Sequence, residues 1–399
     1  MKKLMLLGGL RYLIPVIKAA KKMGHHVITC DYLSDNTAHQ YSDEYHNVSI
    51  IDKEAVLDLA KELEIDGIMS FAVDPGVTTA AYVSEKLNLP CAGPYESIKI
   101  LQNKGLFREF SEKHNFNVPK SRSYSSVNRA VQDFDFFELP VIVKPVDSAG
   151  SKGVTKVSQK TELKNAIEIA ILNSPSATFI VEDFLESKGF SSDTDCFSVD
   201  GKFEFMSFSS QRFDKNSPNP YTPSAISWPS IISTKNQEYL SSELQRLIQL
   251  LDMKTSLYNI EVREATDGKA YIMEVSPRGG GNRLSEMLHY ATGTDLISNA
   301  VKAALGDNVQ KINPVEYEGN WAEIILYSNQ SGTFKALKMD PNLKKNVVEI
   351  DLWVEKGDQV NAFTGANEAV GTLVLKFETQ NALETIVSKY SDHVEVTVE

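Results

Sequence analysis

The sequence predicts a protein of mixed α/β and α+β class, with a parallel-sheet unit at its amino-terminal end and a small, mainly β unit at its carboxy-terminal end. Three observations predict it. Strand and helix signals alternate over residues 3–98, the pattern of a parallel sheet with covering helices. Two β-type runs, 258–263 and 271–276, flank Asp267-Gly268, a hairpin-turn signal. Strand signals dominate residues 320–399, with one helix among them.

In chain order, Lys3 to Leu7 reads as an apolar strand ending in Gly8-Gly9. Residues 13–23 read as a helix closed by Gly24. His26 to Asp31 is the next strand, Glu54 to Leu63 a helix, Asp66 to Ser70 a strand and Thr78 to Leu87 a helix. Leu10 stands where a dinucleotide fingerprint needs its second glycine, which speaks against a Rossmann-type oxidoreductase. The apolar run after Met1-Lys2-Lys3 is short and interrupted by Arg11, so it is read as a buried strand rather than a signal segment. No run approaches the length of a membrane span.

Ser97 to Asn115 reads as one helix whose charges, Lys104, Arg108 and Lys113, belong by default to a solvated face. Leu139 to Pro145 is a short buried strand with Lys144 inside it, and a lysine there needs an anion. The following loop, Asp147 to Val154, is small and hydroxyl-rich. Its free amides suit a nest over phosphates, although it is not a P-loop. Residues 161–172 read as a helix, Thr178 to Leu185 as a strand, and Cys196 to Phe208 as a hairpin around Asp200-Gly201-Lys202. Residues 209–230 read as the longest loop of the chain and a candidate substrate or lid region. Helices are expected over 236–251 and 284–305, then strands at 321–327, 347–354, 370–377 and 393–398, with a helix at 381–390.

The chain has 399 residues, 42% hydrophobic and 24% charged, which is ordinary globular composition with length for two or three domains. A net charge of −12 makes sequence-independent nucleic-acid binding a poor expectation. The cysteines, Cys30, Cys91 and Cys196, are far apart, so neither a disulfide framework nor a thiolate zinc site is indicated, and a reducing cytosol is expected.

The chemistry concentrates in the predicted hairpin. Paired across Asp267-Gly268, Glu261 and Glu274 can point from one face. Two close like charges want a cation between them. Mg²⁺, which takes one or two carboxylates plus substrate phosphates, is the natural occupant. Arg278 follows in Pro277-Arg278-Gly279-Gly280-Gly281, where bare backbone and a guanidinium fork suit an anionic oxygen. Together these point to phosphoryl chemistry.

These ordered features resemble the ATP-grasp superfamily of ADP-forming carboxylate–amine (or thiol) ligases, in particular its purine-biosynthetic and biotin-carboxylase-like branch. The resemblance implies an ATP-grasp fold: a pre-grasp domain over 1–98, a grasp region over 99–310 (small lobe about 116–185, large lobe about 186–310), and a carboxy-terminal domain over 311–399. It implies ATP and Mg²⁺ (or Mn²⁺) as cofactors. Lys104 and Lys144 match the nucleotide-binding lysines, and Ser148, Gly150, Ser151 and Gly153 belong to the lid that spans 148–153. Glu182, Asp183, Phe184 and Leu185 match the adenine hinge. Asp193 and Asp195 compete for the ribose-binding position, with Asp193 preferred. Glu261, Glu274 and Ser276 match the metal positions, Ser276 standing where the family usually has asparagine. Arg278 and Lys144 match the catalytic cations. The resemblance implies a ligase activating a small carboxylate as an acyl phosphate and joining it to an amine, acting in the cytoplasm without nucleic acid or membrane, with a homodimer left open. Variants of that reading are a purine-pathway ligase or carboxylase component and a non-catalytic nucleotide-binding protein. Specificity is expected in the amino-terminal domain, in 209–230 and in residues such as Arg283 and His289, while Asp74 suits either an amine or a helix start.

Overall fold

A computed structural model describes residues 1–148 and 150–399. The amino-terminal unit runs β1 (Lys3–Leu7), α1 (Ile14–Lys22), β2 (His26–Cys30), β3 (Glu44–His46), α2 (Lys53–Glu62), β4 (Gly67–Ser70) and α3 (Pro75–Leu87). Its sheet has the order β3-β2-β1-β4, and every pairing is parallel. Leu4 to Leu7 of the inner strand β1 are fully buried, as expected of a strand covered on both faces. The short strand β3 carries no apolar run that sequence reading would have caught.

Two helices follow, α4 (Tyr95–Gln102) and α5 (Lys104–Lys113), where the sequence reading expects one. Asn103 leaves helical geometry, and its side chain accepts from the Leu106 amide at 3.0 Å. It therefore caps a new helix instead of continuing the old one.

Next comes an antiparallel sheet built from β5 (Ser121–Tyr124), β6 (Val141–Pro145), β7 (Thr155–Val157) and β8 (Phe179–Asp183), in the order β5-β8-β6-β7. Helices α6 (Val127–Gln132) and α7 (Leu163–Leu172) belong to the same lobe. Helix α7 buries Leu163, Ala166, Ile167 and Ala170, the spacing of one helix face.

The chain continues through β9 (Ser192–Val199), β10 (Lys202–Phe205), β11 (Ser210–Phe213), β12 (Pro223–Trp228), α8 (Thr234–Leu250), β13 (Ser256–Glu264), β14 (Ala270–Ser276), α9 (Leu284–Thr292) and α10 (Leu296–Ala304). The second sheet has the order β10-β9-β13-β14. Two expectations are corrected here. Residues 284–305 form two helices, because Gly293 takes a left-handed φ of 73° and closes the first. Residues 209–230 contain the hairpin β11–β12, which leaves the second sheet and pairs onward with β15 (Asn320–Leu326).

The remaining elements are β16 (Gly332–Met339), β17 (Val347–Leu352), β18 (Gln359–Val360), β19 (Gly371–Phe377), α11 (Gln380–Val387) and β20 (Val394–Val398). They complete a five-stranded sheet, β11-β12-β15-β19-β17, and a small sheet, β18-β16-β20. One apolar core joins Leu6 and Ile17 of the amino-terminal unit to Leu288 and Val301 of α9 and α10 and to Trp228 and Trp321 of the five-stranded sheet. That shared core fixes three parts of the chain around one cleft. Among the described residues no helix is long and apolar enough to cross a membrane.

Candidate active site

The face of the second sheet carries two rows of polar side chains. Strands β9, β13 and β14 bring Asp193, Glu261 and Glu274 directly opposite one another. Two residues along, they bring Asp195, Asn259 and Ser276 into register. Residues paired across antiparallel strands, and those two apart on one strand, share a face, so both rows face the same way. The turn at Asp267-Gly268 starts the hairpin: the Lys269 amide donates to the Asp267 side chain at 2.9 Å, and Gly268 takes a φ of 81°; a register shift between Val262 and Glu261 then sets the pairing of both rows.

Glu261 and Glu274 keep 35% and 34% of their side chains exposed. Glu274 faces the Lys104 ammonium at 3.3 Å, and Glu261 faces Arg263 at 3.7 Å. Burial, and then the charge of Glu261, push the Asp193 carboxyl up to about 7. Burial raises Asp195 to about 6 against the pull of Ser285 and the Gly280 amide. The two aspartates are thereby told apart. Asp195 is fully buried and accepts from Gly280 at 2.8 Å and Ser285 at 2.5 Å, so it anchors the glycine run. Asp193 is only half-buried and accepts from Asn259 at 2.7 Å and Gln211 at 3.2 Å.

Opposite the acidic row lies a cationic wall. Lys144 on β6 contacts Glu182 on β8 at 2.6 Å, and Arg108 on α5 contacts the other oxygen of the same carboxylate at 2.7 Å. Burial alone would raise Glu182, but Arg108 and Lys144 outweigh it and hold its carboxyl down to about 2. Burial, with Arg108 and Lys104 nearby, lowers Lys144 despite Glu182. One carboxylate therefore serves two cations, and the Lys144 ammonium retains an unmet demand for negative charge. Lys104 spans the cleft, donating to the Ser148 carbonyl at 3.1 Å while facing Glu274.

Of the expected lid, residue 149 lies outside the described residues. Gly150, Ser151 and Gly153 take left-handed φ of 65°, 58° and 73°, and the Ser151 hydroxyl donates to the Tyr221 carbonyl at 3.2 Å. At the hinge, the Asp183 and Phe184 amides donate to Lys120 and Pro140 carbonyls at 2.9 and 3.0 Å. Lys156 sits 3.8 Å from the centre of the Phe184 ring, and Arg263 donates to the Leu185 carbonyl at 3.2 Å. The Glu182 carboxylate is fully engaged by Arg108 and Lys144, so a base placed against this hinge meets backbone and the Phe184–Leu185 side chains.

Arg278 finds its anionic oxygens within the chain. Its fork grips Asp74, at the start of α3, through Nε at 2.9 Å and Nη2 at 2.8 Å. Burial would raise Asp74, but the Arg278 charge and its hydrogen bonds prevail and hold it below its ordinary value. Ser276 is buried; it accepts from Gln102 at 2.8 Å and donates to Asp74 at 3.0 Å. Among the described residues, no three His, Cys, Asp or Glu side chains are grouped to hold a metal unaided. The donor set still suits a hard divalent cation: two opposed carboxylates open to the cleft, with the remaining positions left for phosphate oxygens and water.

Residues 137–286, which include the hinge, both rows and Arg278, match the ATP-grasp domain family. That segment of the chain is an ATP-grasp domain. The large chain of carbamoyl phosphate synthase from Thermotoga petrophila is 24% identical over 65% of this chain and 23% of its own length. The formate-dependent phosphoribosylglycinamide formyltransferase of Prochlorococcus marinus is 27% identical over 46% of this chain and 48% of its own. The chain thus spans about a quarter of the length of the first curated relatives it matches. In fold it is similar to an L-amino acid ligase from Bacillus licheniformis (TM-score 0.82, 18% identity, 100% of this chain and 99% of that one). It is also similar to phosphoribosylglycinamide synthetase from Anaerococcus prevotii (TM-score 0.76, 20% identity, 100% of both chains).

Within this cleft the structure brings together Lys104, Lys144, Glu182, Asp193, Glu261, Glu274 and Arg278. Ser276 lies one row from the glutamate pair, and His289 is exposed on α9. Sequence reading missed Arg108, which is buried rather than solvated. Its position one turn from Lys104 places both on one helix face, the one available signal. Asn259 and Gln211, which orient Asp193, were also missed; Asn259 could have been found by counting two back from Glu261.

Proposed function

We propose that the chain is an ATP-dependent, ADP-forming ligase that activates a small-molecule carboxylate as an acyl phosphate and joins it to an amine. The observation that carries this reading is the Glu261–Glu274 pair, opposed in register and facing Lys104 across the cleft. Lys104, Lys144 and the lid residues Ser148, Gly150, Ser151 and Gly153 hold the triphosphate in this reading. The hinge Glu182–Leu185 receives the base, Glu182 acting through the lysine it orients. Asp193 contributes a carboxylate on the nucleotide side, in the acidic row. Glu261 and Glu274 hold Mg²⁺ or Mn²⁺, while Ser276 fixes Asp74 and so supports Arg278. When bound, the metal offsets phosphate charge as a carboxylate approaches.

The chain's own residues account for the rest. Attack of one anion on another requires positive charge fixed in advance, and Lys104, Lys144 and Arg278, the last held in place by Asp74, supply it. Lid closure over 148–153 keeps water from the acyl phosphate. The amine then displaces phosphate, so no side-chain nucleophile is needed. Likeness to an L-amino acid ligase and to phosphoribosylglycinamide enzymes sets two arms for a screen. Carboxylates, including amino acids and purine-type ribonucleotides, are paired with amines in the presence of MgATP, and phosphate release is read. ADP and phosphate formed only when both substrates are present supports the ligase. ATP binding with no ADP from any mixture would favour a non-catalytic nucleotide-binding protein.

A further inference from the structure

A second group of carboxylates lies where β15, β17, α9 and the segment before α1 meet. Glu323 on β15 is completely buried, yet among the described residues neither of its carboxylate oxygens has a hydrogen-bond partner. That is a costly arrangement. The cation that could satisfy it is already taken. Arg283 contacts Glu349 at 2.7 Å and Glu286 at 3.2 Å, and donates to Thr372 at 3.0 Å. Tyr12 donates elsewhere, to Asn282 across a long 3.3 Å. One guanidinium thus serves Glu286 and Glu349, and Glu323 receives only its field. Burial first, then Glu286 and Glu349, push Glu323 well above the usual carboxylate range against Arg283. Burial, Glu349 and Asp351 raise Glu286 in the same way.

The position of Glu323 gives this unmet carboxylate a use. Cross-strand register puts Gln211, Ile226 and Glu323 in one row on one face of the five-stranded sheet. Gln211 donates to Asp193 at 3.2 Å, so that row touches the acidic row of the cleft at its far end. Two strand spacings, about 10 Å, separate Gln211 from Glu323. The groups around Glu323 come from every neighbouring element: Tyr12 and Arg11 before α1, Arg283 and Glu286 at α9, Glu349 and Asp351 on β17. Tyr12 is half-buried at the outer edge, with Arg11 and Trp353 beside it.

We infer that Glu323, flanked by Glu286 and Glu349, is the subsite for a primary ammonium group that the amine substrate carries apart from its reacting nitrogen, admitted when Tyr12 swings away from Asn282. This rests on the ligase reading above and names its substrate class. An ammonium carries three donors and no acceptor. It matches two free carboxylate oxygens and a neighbouring acid better than a neutral or anionic group would. The subsite binds and orients; no proton or bond change is assigned to it.

The test is a titration of the whole chain without nucleotide, so that it does not depend on turnover. Tryptophan fluorescence is followed as n-propylammonium chloride or L-alaninamide is added, with sodium propionate and potassium chloride as controls. Trp321 shares the sheet face of Glu323, and Trp353 lies against Tyr12. The expected result is a saturable change with both ammonium probes and none with the controls. In Glu323→Gln the Kd rises at least about tenfold. Calorimetry should return one ammonium bound per chain for the wild type, with the Kd of the fluorescence titration, and the same weakening in the variant. Circular dichroism checks the folding of the variant; should it fail to fold, saturation of the wild type by the ammonium probes against potassium and propionate still decides. No saturation with either probe, equal affinity in the variant, or equal competition by potassium would overturn the inference. MgATP titration of the wild type is a separate arm: its failure removes the ligase reading while the ammonium titration stands or falls alone.

Discussion

Replacing Glu182 by glutamine should test the cationic wall directly. The carboxylate is 1% exposed and bonds Lys144 at 2.6 Å and Arg108 at 2.7 Å. Its carboxyl is held down to about 2 against an ordinary 4.5. At about 1.4 kcal/mol per pH unit, that gap is worth about 3 kcal/mol of folding stability at neutral pH. An independent argument gives a similar size: breaking a buried pair by removing one partner costs about 3–5 kcal/mol, because the other charge is left unmet. The sign with pH follows from the depressed value. Stabilisation by Glu182 is complete above about pH 4.5 and is lost as pH falls through about 2. Urea unfolding followed by circular dichroism should show Glu182→Gln less stable by about 3 kcal/mol at pH 7. The difference from wild type should shrink steadily between pH 4.5 and 2. Other carboxylates titrate in both proteins and cancel in that difference. A loss below about 1 kcal/mol at pH 7, or a difference independent of pH, would refute the account of one carboxylate serving two buried cations.

Four further outcomes are expected. Lys144→Ala should cut ADP formation by on the order of 10²–10³ or more with circular dichroism unchanged, and a smaller loss tells against phosphate contact. Glu274→Ala should abolish it, and wild-type turnover in that variant would end the metal assignment. Turnover should stop in excess chelator and return with Mg²⁺ or Mn²⁺; full activity in chelator contradicts the role given to Glu261 and Glu274. Arg278→Lys, which trades the fork on Asp74 for a single point, should lower stability by about 1–3 kcal/mol in urea unfolding, and unchanged stability would mean the fork is not a stabilising contact.

Local signals made much of the fold and part of the site legible. Asp267-Gly268 announces its hairpin, but counting out from that turn sets Glu261 against Met273; a register shift between Val262 and Glu261 brings Glu274 opposite instead, and no local signal marks it. Lys144 stands out because a lysine in an apolar strand needs an explanation. What escaped depends on partners distant in sequence. Arg108 looks like a surface charge because the carboxylate that buries it, Glu182, is 74 residues away. The hairpin in 209–230 looks like a loop because the strand that completes it, β15, lies in the carboxy-terminal part of the chain. Asn103 and Gly293 are different: the cap residue and the left-handed glycine were visible, but continuous apolar spacing on either side outweighed them. The glycine run beside Arg278 suggests a ligand anion, whereas its fork is held by Asp74 from the amino-terminal unit, 204 residues away.

The arrangement of charge explains why these parts belong together. The wall formed by β6, β8 and α5 sets Lys144 and Arg108 against Glu182, with Lys104 nearby, an excess of positive charge. The facing sheet sets Asp193, Glu261 and Glu274 in one row, an excess of negative charge. Lys104 crosses between them and partly relieves both, at 3.3 Å from Glu274. An anion alone would satisfy the first wall and worsen the second; a divalent cation alone would do the reverse. A triphosphate carrying its own cation presents each charge to the wall that lacks it, so each component should raise the affinity for the other by the same factor. Direct pairing of Lys104 with Glu274 would be redundant once that complex is in place, leaving the Lys104 ammonium for a phosphate. On the proposed reading the cleft suits a metal–nucleotide complex as a unit, and Lys104, 3.3 Å from Glu274, links the two walls.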